Sequence, residues 1–287
     1  MLLIEAMEEF RKYLLLLERS NETIKCYLKD LKYFHDYLQD KYKSCSICVN
    51  KIRTDDVQDF LYYILSVKQY APNSRRRALN SIKSFYDFCL KRKFCVNNIT
   101  SEIDHIKMWQ RERTFLTETE VSVLLDYVKT PLLNTLVSTL YYTGLRISEC
   151  IHLELDHVDL ENDIIYVKYG KGKKNRSIPI NRKLKAILCQ YKQEVRTHIN
   201  SNRFFCTKNG SISASYVNKI LNLSTIEAGI NKHVTAHILR HSFASNLLKN
   251  GVDIVKIQRL LGHAHLRTTC IYIHTTIEDL RTSVNVL

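Results

Sequence analysis

Glycine, proline and tryptophan are scarce here, numbering 7, 3 and 1 among 287 residues. Every glycine falls at Gly144 or later, and Pro72 is the single proline before Pro131. A first half without glycine and nearly without proline fits a compact helical domain. Hydrophobic residues make up 45% and charged residues 25%, which excludes disorder and fibrous repeats. Long apolar runs are missing too, and none approaches the ~18–20 residues a membrane span requires. The opening MLLIEAMEEFRKYLLLLER sets acids among its apolar residues and has no basic n-region, so a secretory signal is not expected. There is no even, regularly spaced cysteine set: nine cysteines at scattered positions read as reduced thiols. Cys45 and Cys48 form one C-x-x-C, without the second pair or spaced histidines of a structural zinc site. Neither G-x-x-x-x-G-K-[ST] nor G-x-S-x-G occurs, and the acids form no evident metal cluster. Nucleotide hydrolysis, serine-elbow hydrolysis and two-metal nuclease chemistry therefore lack support.

Cations, by contrast, are abundant. Lys and Arg number 43 against 29 Asp and Glu, for a net charge of +14. The excess is spread along the chain, 19 basic against 14 acidic residues up to Trp109 and 24 against 15 from Gln110 on. A protein basic along its whole length suits a polyanion, although a merely basic soluble protein would show the same balance.

The pattern predicts a mainly α protein with a small β-sheet (α+β). Residues 1–95 read as about four helices. From Ile24, the positions Tyr27, Leu28, Leu31, Phe34 and Leu38 share one helical face. Thr54, ahead of Asp55 and Asp56, is expected to cap a helix over Val57 to Leu65. Ser74, just past Pro72, is expected to cap another with Leu79, Ile82, Phe85, Tyr86 and Cys89 inward. Residues 96–113 lose the period and read as a linker. The second domain, 114–287, opens with a capping box from Thr117 to Glu120. Helices are expected near 118–129, 132–142, 146–152, 182–196, 214–228, 235–249 and 253–261. Ile164–Lys168 and Arg176–Ile180 flank a Gly- and Lys-rich turn and predict a hairpin.

Four segments place cations or a nucleophile in unusual settings. In TGLRISE, Gly144 can end one helix in the left-handed region and Arg146 then begins the next, with Glu149 one turn on to pair with it. A guanidinium beside free helix N–H groups is a natural phosphate cradle, though an ordinary surface ion pair is the commoner reading of such a segment taken alone. In HILRH, His237, Arg240 and His241 fall on neighbouring positions of one helical face. Two His at i and i+4 invite zinc, but Ile238 stands where H-E-x-x-H has Glu, and Arg240 would repel a dication. His263 follows a helix-ending Gly262, and Tyr272, one of 17 tyrosines, reads by itself as packing.

In that order, TGLRISE, HILRHSFASNLLKNG and LLGHAHLRTTCIYIH closely resemble the catalytic motifs of the tyrosine recombinases, the integrase family. Tyr272 comes nine residues after His263, as that family spaces them. SNETIKCYLKDLKYFHDYL and SRRRALNSIKSFYDFCLKRKF are similar to its helical, SAM-like core-binding domain. The resemblance implies a catalytic set of Arg146, Lys171, His237, Arg240, His263 and Tyr272, supported by Glu149 and His241. Lys171 shares its turn with Lys173 and Lys174; the family's lysine follows the first Gly of such a turn, which favours Lys171. Lys173 and Lys174 join Arg75, Arg76, Arg77 and Lys83 as candidate DNA contacts.

The same resemblance implies a 3′-phosphotyrosine intermediate formed without metal, ATP or other cofactor. It also implies two domains clamped around double-stranded DNA with paired inverted-repeat core sites, and a homo-tetramer on two such sites. An accessory protein would be a further partner, a membrane would not, and the protein would act in the cytoplasm at the nucleoid. The amphipathic tail 277–287, with Leu280, Val284 and Leu287 on one side, would bridge protomers or else fold back on its own domain. The core-binding pattern starts almost at residue 1, without the extra domain of arm-binding integrases. This layout is similar to Xer-type and small plasmid or transposon resolvases, and favours resolving chromosome, plasmid or cointegrate multimers. Integration or excision of a mobile element is the near alternative. A non-cutting DNA-binding accessory factor and a topoisomerase of the same chemistry are the readings from other classes.

Overall fold

Among the described residues, four helices carry the first of two units, residues 1–111, and seven helices with two small sheets carry the second, 112–287. The computed structural model describes residues 1–107, 114–168, 175–196, 200–207 and 210–262. Lys171, Lys173, Lys174, His263, Tyr272 and the tail 277–287 lie outside the described residues.

In the first unit α1 (Leu3–Leu16), α2 (Asn21–Tyr42), α3 (Thr54–Ser66) and α4 (Pro72–Lys91) enclose an aromatic core. Phe10 meets Phe85 edge-on at 5.5 Å, and Phe34 meets Phe60 at 5.1 Å. Each such buried ring contributes about 1.5–3 kcal/mol. The predicted inward faces of α2 and α4 are buried at Ile24, Leu31, Phe34 and Leu38 and at Leu79, Ile82, Phe85, Tyr86 and Cys89.

Two helix starts differ from expectation. Arg53, not Thr54, is the cap of α3: Asp56 accepts the Arg53 N–H at 2.8 Å, while the Thr54 hydroxyl donates to the Ile99 carbonyl. A carboxylate three residues in offers the helix end full negative charge, which a hydroxyl cannot match. Helix α4 starts at Pro72 itself, whose fixed φ suits the first helical position, so Ser74 lies inside the helix and caps nothing.

Buried acids cross-link three of these helices. Asp56 also accepts Lys41 Nζ at 2.7 Å and the Tyr42 hydroxyl at 2.6 Å, joining the end of α2 to the start of α3. Asp30, on α2, takes both prongs of Arg77 at 3.0 and 2.8 Å and the Ser81 hydroxyl at 2.8 Å, joining α2 to α4. The segment expected as linker begins folded onto this unit, with Ile103 buried and its carbonyl accepting Lys83 Nζ at 2.6 Å.

The second unit runs α5 (Glu118–Tyr127), α6 (Pro131–Thr143), α7 (Ile147–Ile151), β1 (Val158–Asp159), β2 (Ile164–Val167), β3 (Arg176–Pro179), α8 (Arg182–Gln190), β4 (Cys206–Thr207), β5 (Gly210–Ser211), α9 (Ala214–Glu227), α10 (Ala236–Lys249) and α11 (Ile254–Leu261). A π-helical turn over Tyr191–Val195 extends α8. The expected hairpin is present, with Ile165 opposite Ile178, and β1 adds a third antiparallel strand beside β2. Thr117 and Glu120 form the expected capping box on α5. Helix α6 is buried on almost every side and packs along α10, forming the centre of the unit.

Candidate active site

Gly144 ends α6 with φ +62°, a conformation that strains residues bearing a Cβ. A Cβ there would also stand 2.4 Å from Phe243 Cδ1 on α10. The glycine lets the chain turn tightly against α10, and two residues later Arg146 caps α7. Its backbone N–H donates to Glu149 Oε2 at 2.9 Å, and its Nη1 donates to Glu149 Oε1 at 2.7 Å. The expected pairing is present, but this N–H serves the carboxylate and is not part of an open cradle. Arg146 keeps about 30% of its side chain exposed, whereas Glu149 keeps 7%.

Glu149 has a second cation. Arg176 at the start of β3 places Nη2 2.8 Å from Oε2 and Nη1 3.1 Å from Oε1, a two-pronged grip. Burial would raise the Glu149 carboxyl, but the bonds and charge of Arg176, with the bonds from Arg146, hold it down at about 2. Arg176 also donates Nε to the Leu260 carbonyl at 3.0 Å, in the last turn of α11. No local sequence signal singles out Arg176. Its partners are 27 and 84 residues away, and only the β3 pairing brings them within reach.

Arg240, in the middle of α10, is buried at 3% exposure. Its Nη1 donates to the Gly144 carbonyl at 2.6 Å and its Nη2 to the Leu261 carbonyl at 2.7 Å. Those carbonyls close α6 and α11, so the partial negative ends of two helices face one buried guanidinium. Both terminal nitrogens hold protein carbonyls. One arginine thus brings together the segments of Arg146, Arg240 and the end of α11. On the same helix His237 is exposed in the first turn, and His241 is buried with its ring edge-on to His237 at 5.1 Å.

Three of the four candidate DNA contacts of the first unit make hydrogen bonds within it. Arg77 holds Asp30, Lys83 holds the Ile103 carbonyl, and Arg75 Nε donates to the Tyr70 carbonyl at 3.2 Å. Arg76 is exposed, with a longer 3.5 Å contact to Asn73.

Among the described residues, Glu154, Asp156 and His157 form the one group with metal-ligand proximity. Lys168 already pairs with Asp156 at 2.8 Å and Arg203 with Glu154 at 3.6 Å. Both Glu149 oxygens are engaged by arginines, so the arginine array offers no carboxylate to a cation.

Residues 114–278 match the phage integrase family, and residues 7–93 match the phage integrase N-terminal SAM-like domain. The chain is 32% identical over 279 residues to tyrosine recombinase XerD of Staphylococcus aureus, covering 93% of this chain and 92% of that protein. Its fold is similar to XerH site-specific recombinase bound to its difH substrate before cleavage, with a TM-score of 0.73, 22% identity and coverage of 92% and 79%. It is similar also to a lambda integrase dimer bound to a COC′ core site, with a TM-score of 0.78, 15% identity and 95% of each chain covered.

Proposed function

Because the chain belongs to the phage integrase family, as a tyrosine recombinase of the Xer type, we propose that it cuts and rejoins DNA to resolve chromosome, plasmid or cointegrate multimers. The observation that carries the reading is the bond from Arg240 to the Gly144 carbonyl. It joins two motifs 96 residues apart in one cationic site, with Arg146 at its exposed edge.

Each chemical role follows from group type. The Tyr272 hydroxyl attacks a phosphodiester, forming a phosphorus–oxygen bond while the bond to the 5′-oxygen breaks. The products are a 3′-phosphotyrosine and a free 5′-hydroxyl, and the stored bond energy permits religation without ATP. A phenol with an ordinary pKa of about 10 must lose its proton as it attacks, and exposed His237 is the base proposed for it. Lys171 returns a proton to the leaving 5′-oxygen, and His263 donates a hydrogen bond to the phosphate. Arg146 binds the nonbridging oxygens, and Arg240 adds a buried positive charge that opposes the charge building on phosphorus. Glu149 orients Arg146, and His241 backs His237. Arg75, Arg76, Lys173 and Lys174 are the proposed backbone contacts, and a homo-tetramer on two inverted-repeat sites is the proposed assembly, joined by the tail 277–287.

Covalent capture tests this directly. Nicked fragments of the native replicon are incubated with the protein in EDTA, and SDS-resistant adducts are sequenced at their 3′ ends, with Tyr272→Phe in parallel. Adducts at one repeated position, absent with Tyr272→Phe, are expected. Strict Mg²⁺ dependence would overturn the mechanism, and retained DNA binding without adducts would favour a non-cutting role.

A further inference from the structure

Arg176 lies at a junction that the proposed chemistry leaves unused. Its guanidinium makes three hydrogen bonds to two different elements, α7 through both Glu149 oxygens and α11 through the Leu260 carbonyl. It is itself the first residue of β3, five positions after Lys171, and its side chain is only 12% exposed. Gly262, the left-handed cap of α11, packs directly against it: a Cβ there would be 2.9 Å from Arg176 Cδ. The next residue in the sequence is His263. Three segments that carry proposed catalytic groups therefore meet at one side chain outside the catalytic set.

We propose that Arg176 is a positioning residue: by gripping both oxygens of Glu149 it sets the orientation of Arg146, and by holding the α11 terminus it fixes the point from which the chain continues to His263. This rests on the proposed strand cleavage. The geometry requires arginine. A planar fork can reach two carboxylate oxygens and a carbonyl at once, while a lysine ammonium on a flexible stem cannot hold all three in one plane. Among the described residues, the other bonds of Glu149 are to Arg146 itself, so Arg176 is its anchor to the rest of the unit. Among the described residues, the short helix α7 is what would still fix the Glu149–Arg146 pair without Arg176. Displacement by about 1 Å in such a pair costs on the order of a hundredfold in rate.

The test uses the full chain and a nicked duplex bearing the cleavage position mapped by adduct capture. Arg176→Lys keeps the buried charge; single-turnover adduct formation, DNA affinity and thermal melting are measured together. The expected result is a rate constant reduced about tenfold to a hundredfold, full final adduct yield, and affinity within about threefold. Glu149→Gln should slow cleavage similarly, and the double variant should be no slower than the slower single one, because both changes release the same Arg146. A purely structural residue would lower melting and adduct yield in proportion, with a normal rate for the folded fraction. That outcome, an unchanged rate, or multiplying effects in the double variant would each overturn the inference. No adduct from the unaltered chain would instead overturn the cleavage reading beneath it.

Discussion

Glu149 is nearly buried, and two arginines hold its carboxyl near 2 against an ordinary 4.5. A depressed acid contributes stability that is fully present above its unfolded value and is lost as pH falls through the folded one. The window is thus from about pH 4.5 down to about 2, and the share at stake is on the order of 3 kcal/mol. Acid unfolding followed by circular dichroism should lose stability across that window in the unaltered protein. In Glu149→Gln the same span should be flatter, with lower stability at neutral pH. At Gly144, substitution by Ala meets both a left-handed backbone and the Phe243 ring. It should destabilise the fold by about 2 kcal/mol or more, and calorimetry should show the melting temperature falling by about 4 °C or more.

Among the elements, α4 separates two kinds of cation. Arg77→Ala leaves the buried Asp30 with the Ser81 hydroxyl as its remaining side-chain donor, and should cost about 2–3 kcal/mol in urea unfolding. Arg76→Ala should leave stability within about 0.5 kcal/mol. It should instead reduce the slope of log affinity against log salt by about 1 if that residue meets a phosphate. The sequence RRR could not distinguish these neighbours, because each one's partner is set by which side of α4 faces α2. Local signals were legible. The Thr117–Glu120 box, the Gly144 stop and the Arg146–Glu149 pair all act within one turn, and the buried faces of α2 and α4 follow the helical period. The two-residue strands β1, β4 and β5 are too short to show alternation. Arg176 carries no such signal because its significance lies wholly in contacts across the fold.

At the scale of the molecule, the two units have separate hydrophobic cores. Residues 1–107 should therefore fold when expressed alone and melt in one cooperative transition by circular dichroism; a gradual, non-cooperative melt would contradict this. The motifs of the second unit come from three parts of the sequence, and a single buried guanidinium ties α10 to the last carbonyls of two helices. This arrangement depends on the main chain at Gly144 coming against α10 with nothing in between. It has a consequence for the gene. Every single-base missense change in a glycine codon specifies a residue with a Cβ, so this codon has no neutral amino-acid neighbour. In a lineage that still needs the enzyme, only synonymous changes should persist there, and a missense codon at this position would be an early mark of a decaying copy.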